Sequence, residues 1–272
     1  MDPRRLRRRG HVQSRPRLRL GRVGPARDRA LVPRPRLILA SASPRRREIL
    51  GALGVPFDVF VPEVEELTEG EPEETVVENA RRKARAGKGM LVRGLQPPKL
   101  AGAGSGVAGG ERSLVLGVDT EVVLDGRLLG KAADEREARE RLEALTGRTH
   151  DVLGGVMVIG RRDDSTLDFV GHSSTKSSLG RDASPPVPGD EVAERWGLAK
   201  SRVTFRELPP DLLAAYLASG EWRDRAGAYA VQGLGSMLVE RVEGDLSNVI
   251  GLPVALLLDL VPGLLEAAGG SR

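Results

Sequence analysis

LVLGVDTEVVLDGRLLGK, running from Leu114 to Lys131, is the stretch whose reading decides the fold. Asp125-Gly126 lies between two apolar runs, and Asp-Gly readily takes the positive φ angles that a two-residue hairpin turn needs. Counting outward from that turn predicts Leu124 opposite Arg127, Val122 opposite Leu129 and Thr120 opposite Lys131, with Asp119 diagonal to Lys131. Leu114, Val115 and Leu116 are consecutive and apolar, as in a strand covered on both faces, so the run enters a core before its first charge. A carboxylate, a hydroxyl and an ammonium are therefore expected at one end of a buried sheet. A scaffold hairpin with an incidental ion pair would give the same pattern, and other stretches must decide between them.

Upstream, Leu37-Ile-Leu-Ala40 reads as a short buried strand, followed by Ser41-Ala-Ser43-Pro44, which turns into a helix with Ser43 as N-cap and Pro44 at its first position. Ile49, Leu50 and Leu53 give that helix an apolar stripe, and Gly54 ends it. Arg45 and Arg46 sit in the first turn, where the helix dipole disfavours cations. Two hydroxyls, two guanidiniums and a helix N-terminus make a receptor for phosphate or carboxylate; the bland alternative is a pair of solvated arginines. A strand over residues 57–61 leads to Glu63, Glu65 and Glu66, carboxylates suited to a hard divalent cation or simply a solvated loop. A helix is predicted from Pro72 to about Ala86 with Val76, Ala80 and Ala84 inward. Lys83 projects from the same side, so it either snorkels past the core or enters the site.

Residues 87–113 are rich in Gly, Ala and Pro. Their Gly104-Ser-Gly106-Val-Ala-Gly109 matches a dinucleotide-binding pattern, but Pro97-Pro98 precedes it where a strand should stand, so it reads as a flexible loop. Asp134 and Glu137 predict a capping-box start for a helix carrying Ala138, Leu142 and Leu145. Val152 to Ile159 is a predicted strand, residues 161–200 a polar surface insertion with at most one short strand near Phe169, and Val203 to Leu208 a further strand. Pro209-Pro210 opens a helix that Gly220 closes. In Asp224-Arg-Ala-Gly-Ala-Tyr-Ala-Val-Gln-Gly233 small residues permit close backbone approach, and Gln232 offers donors and acceptors for the edge of a base. A strand over residues 236–242 and a last helix beginning near Pro253 complete the order.

Composition narrows the function. There is no Cys, which excludes disulfides, thiolate metal sites and thiol catalysis, and the three His lack metal-site spacing. No apolar run is long enough to span a membrane. The chain carries +4, yet residues 1–30 hold eleven Arg against Asp2 and Asp28, which leaves the remainder near −5. Residues 1–35 thus read as a disordered basic tail and the body as acidic. Aromatic residues make up 3% of the chain, too few to stack bases, so nucleic acid is expected at most through the tail.

Six blocks in order resemble one family: Ser41-Ala-Ser43-Pro-Arg45-Arg46, Gly117-Val-Asp119-Thr120, Leu129-Gly-Lys131, Leu145-Thr-Gly147-Arg148, Asp224 to Gly233, and Asn248-Val-Ile-Gly251-Leu-Pro253. They are similar to the Maf proteins, septum-formation-inhibitor-like nucleoside triphosphate pyrophosphatases. The resemblance implies an α/β fold related to the inosine triphosphatases: an elongated mixed sheet flanked by helices, two lobes and a cleft, within a domain of residues 36–268. It implies Asp119 as proton acceptor, and Ser43, Arg46, Lys83 and Lys131 on the triphosphate. Glu66 and Asp119 would lie at a divalent metal, Mg2+ or Mn2+. Arg45, Thr120 and Gln232 match the positions that mark the branch acting on dTTP and UTP. A cytoplasmic homodimer is further implied, with a non-enzymatic nucleotide-binding regulator of cell division as the alternative. Ala132, Arg225 and Ala230 depart from the family's usual Pro, Lys and Gly.

Overall fold

The computed structural model describes residues 36–93, 113–161, 178–181 and 192–265, all within one compact unit. The basic tail, the glycine pattern at 104–109 and the strand expected near Phe169 lie outside the described residues.

The Asp125-Gly126 turn forms as its sequence requires, with φ of 51° and 76°. It joins β3 (Ser113–Leu124) to β4 (Arg127–Leu128), and Leu124 faces Arg127. Leu129 N–H donates to the Val122 carbonyl at 2.9 Å, so the predicted register holds that far. There the hairpin ends. Gly130 takes φ 52° and turns the chain away, and Lys131 instead bridges Ala226. Thr120 faces Gly154 of β5 (Thr149–Arg161), not Lys131.

Among the described residues eight strands form one mixed sheet. β1 (Arg36–Ala40) lies parallel between β2 (Phe57–Phe60) and β3; β5, antiparallel to β3, pairs with β7 (Val192–Phe205), which takes β6 (Ser178–Arg181) and β8 (Val239–Glu243). β7 corrects the surface insertion predicted for 161–200, because Val192 to Lys200 is strand. Val192, Arg195, Leu198 and Ala199 are buried along it, and β5 supplies a ladder partner for each.

The position of β3 matters most. Leu114, Leu116 and Val118 enter one apolar core with Leu37, Leu39, Leu50 and Leu257. Val122 and Leu124 enter a second, with Leu142, Phe205 and Tyr216. Asp119, Thr120 and Glu121 fall between the two cores. On one edge β3 pairs with β5 along most of its length, but on the other β1 stops at Ala40 opposite Gly117 and β4 begins opposite Val123. The intervening backbone borders a gap in the sheet at the carboxyl end of β1, where open α/β sheets place their ligands.

Helices complete the frame. α1 (Pro44–Ala52) follows N-cap Ser43 and buries Arg46 and Leu50, one turn apart, on a single face. α2 (Pro72–Ala86) buries Val76, Asn79, Ala80, Lys83 and Ala84, spaced as one face of a helix. It lies so close to the sheet that a Cβ on Gly117 would sit 2.2 Å from the Ala80 carbonyl oxygen, and one on Gly155 2.6 Å from that of Val76. A short α3 (Lys88–Arg93) follows within the segment expected to be loop. α4 (Glu135–Leu145) carries its predicted cap, Glu137 N–H to Asp134 Oδ1 at 2.8 Å, with the Glu137 carboxylate returning to Ala133 N–H at 3.0 Å. α5 (Pro210–Ser219) ends at Gly220, φ 72°, and packs in the second core through Leu213, Tyr216 and Leu217. A 3-10 turn over Gly233–Met237 replaces the first half of the strand predicted at 236–242. α6 (Leu246–Ile250), absent from the sequence reading, and α7 (Val254–Leu260) close the chain.

Candidate active site

Asp119 is 3% exposed, and its two oxygens are both engaged from α2. Lys83 Nζ lies 2.6 Å from Oδ1, and Asn79 Nδ2 donates to Oδ2 at 3.2 Å. The ammonium also pairs with Glu66 Oε1 at 3.0 Å. The lysine therefore enters the site rather than snorkelling past the core. Asn79, wholly buried, receives Leu67 N–H at 2.7 Å and donates to the Leu67 carbonyl at 3.0 Å, and so fixes the loop that presents Glu66. The Asp119–Lys131 pair expected from the hairpin is corrected: Lys83 is the ammonium bonded to Asp119, and Lys131 is exposed.

Thr120, the next residue on β3, points to the opposite face of the sheet. There it meets Arg46, 8% exposed, whose Nη2 donates to Thr120 Oγ1 at 3.1 Å, Nη1 to Ser41 Oγ at 2.9 Å and Nε to the Gly251 carbonyl at 2.8 Å. Burial pushes the Arg46 pKa down, and the charges of Asp119, Glu66 and Glu121 oppose that shift. Arg45, half-buried, is lowered to about 10 by burial and then by its cationic neighbours Arg225 and Arg46, with Glu48 and Asp224 opposing. Ser43 stands at the N-cap position without a side-chain cap; its N–H donates to Ser41 Oγ at 3.2 Å.

Glu66, Lys83, Asp119, Thr120, Arg46 and Ser43 are thus brought around the gap in the sheet. Lys131 joins them electrostatically through Glu121, whereas Gln232 is exposed at the start of the 3-10 turn. The sequence reading missed Asn79, the Gly251 carbonyl and Glu121, and it took the Ser41 hydroxyl as part of an anion receptor where the structure has it accepting from Arg46. Asn79 was detectable as a polar residue in an apolar helical stripe, one turn before Lys83. Glu121 was detectable as the next residue on the same strand face as Asp119. Burial, then the nearby Asp119 and Glu66 carboxylates, raises the Glu121 pKa to about 8, while Lys83 and Lys131 hold it down. Its Oε2 is buried without a hydrogen-bond partner.

Among the described residues no three acidic or imidazole groups converge closely enough to cage a metal unaided. Glu66 and Asp119 do face one point, occupied by the Lys83 ammonium, and Glu121 adds an unpartnered oxygen. That donor set fits magnesium-like binding, in which one or two carboxylates are completed by water and substrate phosphates.

Fold and site define an α/β protein whose sheet gap gathers cations around a buried carboxylate, a geometry for taking a polyphosphate. The chain belongs to the Maf family: the family described as Maf-like protein matches residues 36–264. Proteins named dTTP/UTP pyrophosphatase resemble it over most of their length. The Deinococcus radiodurans protein is 38% identical over 237 residues, covering 87% of this chain and 96% of the relative. That of Methylococcus capsulatus is 39% identical, covering 80% and 86%, and that of Pyrococcus furiosus 34% identical, covering 83% and 94%.

Proposed function

We infer that this chain hydrolyses dTTP and UTP to the monophosphate and pyrophosphate. The observation that carries the reading is Arg46, a buried cation whose three hydrogen-bonded partners are all neutral, set across β3 from the Lys83–Asp119 pair. A buried charge left without a bonded counter-ion is costly, and a bound polyanion relieves that cost. The names of the relatives supply the nucleotides.

Arg46, Lys83, Lys131 and Ser43 hold the triphosphate and orient its α-phosphorus toward Asp119. Water attacks that phosphorus, the bond to the oxygen bridging α- and β-phosphates breaks, and pyrophosphate leaves with the electron pair. Asp119 takes the proton from the attacking water, held in place by Asn79 and Lys83. Arg45 and Gln232 act toward the base. Glu66 and Asp119 would hold Mg2+ or Mn2+, which when bound supplies further neutralisation of the phosphate chain. A chain without Cys suits a reducing, cytoplasmic compartment, and the homodimer follows from the family resemblance.

Purified protein incubated with dTTP or UTP and magnesium should release pyrophosphate and monophosphate in equal amounts. Orthophosphate without pyrophosphate overturns the reading, and nucleotide binding without turnover favours the regulator.

A further inference from the structure

Thr120 occupies a position that the resemblance ties to the choice of base, yet the contacts made by its side chain are not those of a base reader. A threonine hydroxyl has one donor hydrogen and two acceptor lone pairs. Here the hydrogen points to the Gly251 carbonyl at 3.3 Å, and one lone pair receives Arg46 Nη2 at 3.1 Å. Thymine and uracil present two carbonyl oxygens that need donors, and Thr120 has no donor left to give them.

The Arg46 side of the contact is equally specific. A guanidinium carries five N–H donors, and three are used: Nε on the Gly251 carbonyl, Nη1 on Ser41 Oγ and Nη2 on Thr120 Oγ1. One N–H on each terminal nitrogen stays free, the complement for two oxygens of a phosphate. The three acceptors come from three separated elements: the turn after β1, the middle of β3 and the turn between α6 and α7. Each holds a different nitrogen, which fixes both the place and the roll of the guanidinium plane. Gly251 adopts φ 133°, a region closed to other residues, so its carbonyl orientation depends on glycine. The Asn248–Pro253 block thereby gains a role as well. Asn248, fully buried, donates to the Val152 carbonyl at 3.0 Å and to Ser201 Oγ at 3.1 Å, which pins α6 and so the Gly251 carbonyl behind it.

We propose that Thr120 is a positioning residue for the phosphate chain: together with Ser41 and the Gly251 carbonyl it cradles the Arg46 guanidinium, and it affects nucleotide choice only through where the phosphates sit. This rests on the triphosphate reading above. The test uses inorganic tripolyphosphate, which has phosphates and no base, measured by calorimetry with magnesium alongside kinetics on dTTP, UTP and GTP. Thr120→Val keeps the side-chain volume and removes the hydroxyl. Tripolyphosphate affinity should fall about tenfold, and KM for every nucleotide should rise by a similar factor, as expected for losing a hydrogen bond to a charged group. The ratios among dTTP, UTP and GTP should hold to within about twofold, and Thr120→Ser should restore both measurements. Ser41→Ala, which removes another acceptor without touching β3, should give the same pattern if the valine variant fails to fold. Unchanged tripolyphosphate affinity with an altered dTTP-to-GTP ratio overturns the proposal in favour of base reading, and so does wild-type protein that does not bind tripolyphosphate. Binding of tripolyphosphate by protein that releases no pyrophosphate from dTTP sinks the hydrolytic reading instead, and the cradle is then judged on the affinities of the variants.

Discussion

Asp119 shows how far the partner of a residue determines what its loss should do. Had it paired with exposed Lys131, Asp119→Asn would cost about 1 kcal/mol or less of stability. It pairs instead with Lys83, 7% exposed, and breaking a buried pair from one side costs about 3–5 kcal/mol when the remaining charge is abandoned. Lys83 keeps Glu66 as a second partner, so we expect the lower end, about 3 kcal/mol. Turnover per folded molecule should fall by roughly 10² to 10⁴ if Asp119 takes the proton. Denaturant unfolding run beside steady-state kinetics separates the two effects, and a variant that melts early but turns over normally would return Asp119 to scaffold. Lys131→Ala belongs to the other regime. Its side chain is exposed, so stability should move by less than about 0.5 kcal/mol while KM rises.

At the scale of elements, what makes the site is the closeness of α2 to the sheet. Gly117 and Gly155 face the helix backbone, and no side chain fits between them and it. Without that approach Asn79 and Lys83 would not reach Asp119. A methyl group at Gly117 would meet the Ala80 carbonyl and the Ala84 amide, both backbone and unable to swing aside. Gly117→Ala should therefore destabilise by about 3 kcal/mol or more, and lower turnover further than its stability loss explains, because the helix carrying Lys83 must lift. Crystallography of the variant would show a longer Lys83–Asp119 distance; an unchanged distance would refute this account of the packing.

Four apolar clusters hold the described residues together, and the one built on Leu142, Phe205 and Tyr216 borders an acid-sensitive group. His150 is 3% exposed among Phe205 and Tyr229, its Nε2 sharing a 2.8 Å hydrogen bond with the Tyr229 hydroxyl and its Nδ1 unpartnered. Burial lowers its pKa to about 4, with Asp151 opposing. The unfolded imidazole titrates near the ordinary value of about 6.5, so the unfolded state binds the proton first. The stabilising contribution of a neutral His150 is thus complete above about pH 6.5 and is lost as pH falls toward 4, amounting to about 3 kcal/mol. Melting temperature followed from pH 7 to 4 should drop more steeply for the native protein than for His150→Gln, and parallel curves would remove His150 as a cause. The homodimer is tested by sedimentation at micromolar concentration, where a monomer alone would dismiss it.

Local signals in the sequence were enough for much of this. The Asp125-Gly126 turn, the span of α2, the Asp134 cap and the inward stripe of Val76, Ala80 and Ala84 each depend on residues within a few positions, through backbone angles and helical periodicity. The residues around the site were legible too, as types in ordered blocks. Which of them meet was decided only by the tertiary structure. Asp119 and Thr120 are neighbours in the chain but face opposite sides of a strand, and what covers each side comes from helices 36 and 74 positions away. The hairpin suggested Lys131 as the partner of Asp119 because counting outward from its turn set that ammonium diagonal to the carboxylate. The glycines that bring α2 down onto the sheet chose Lys83.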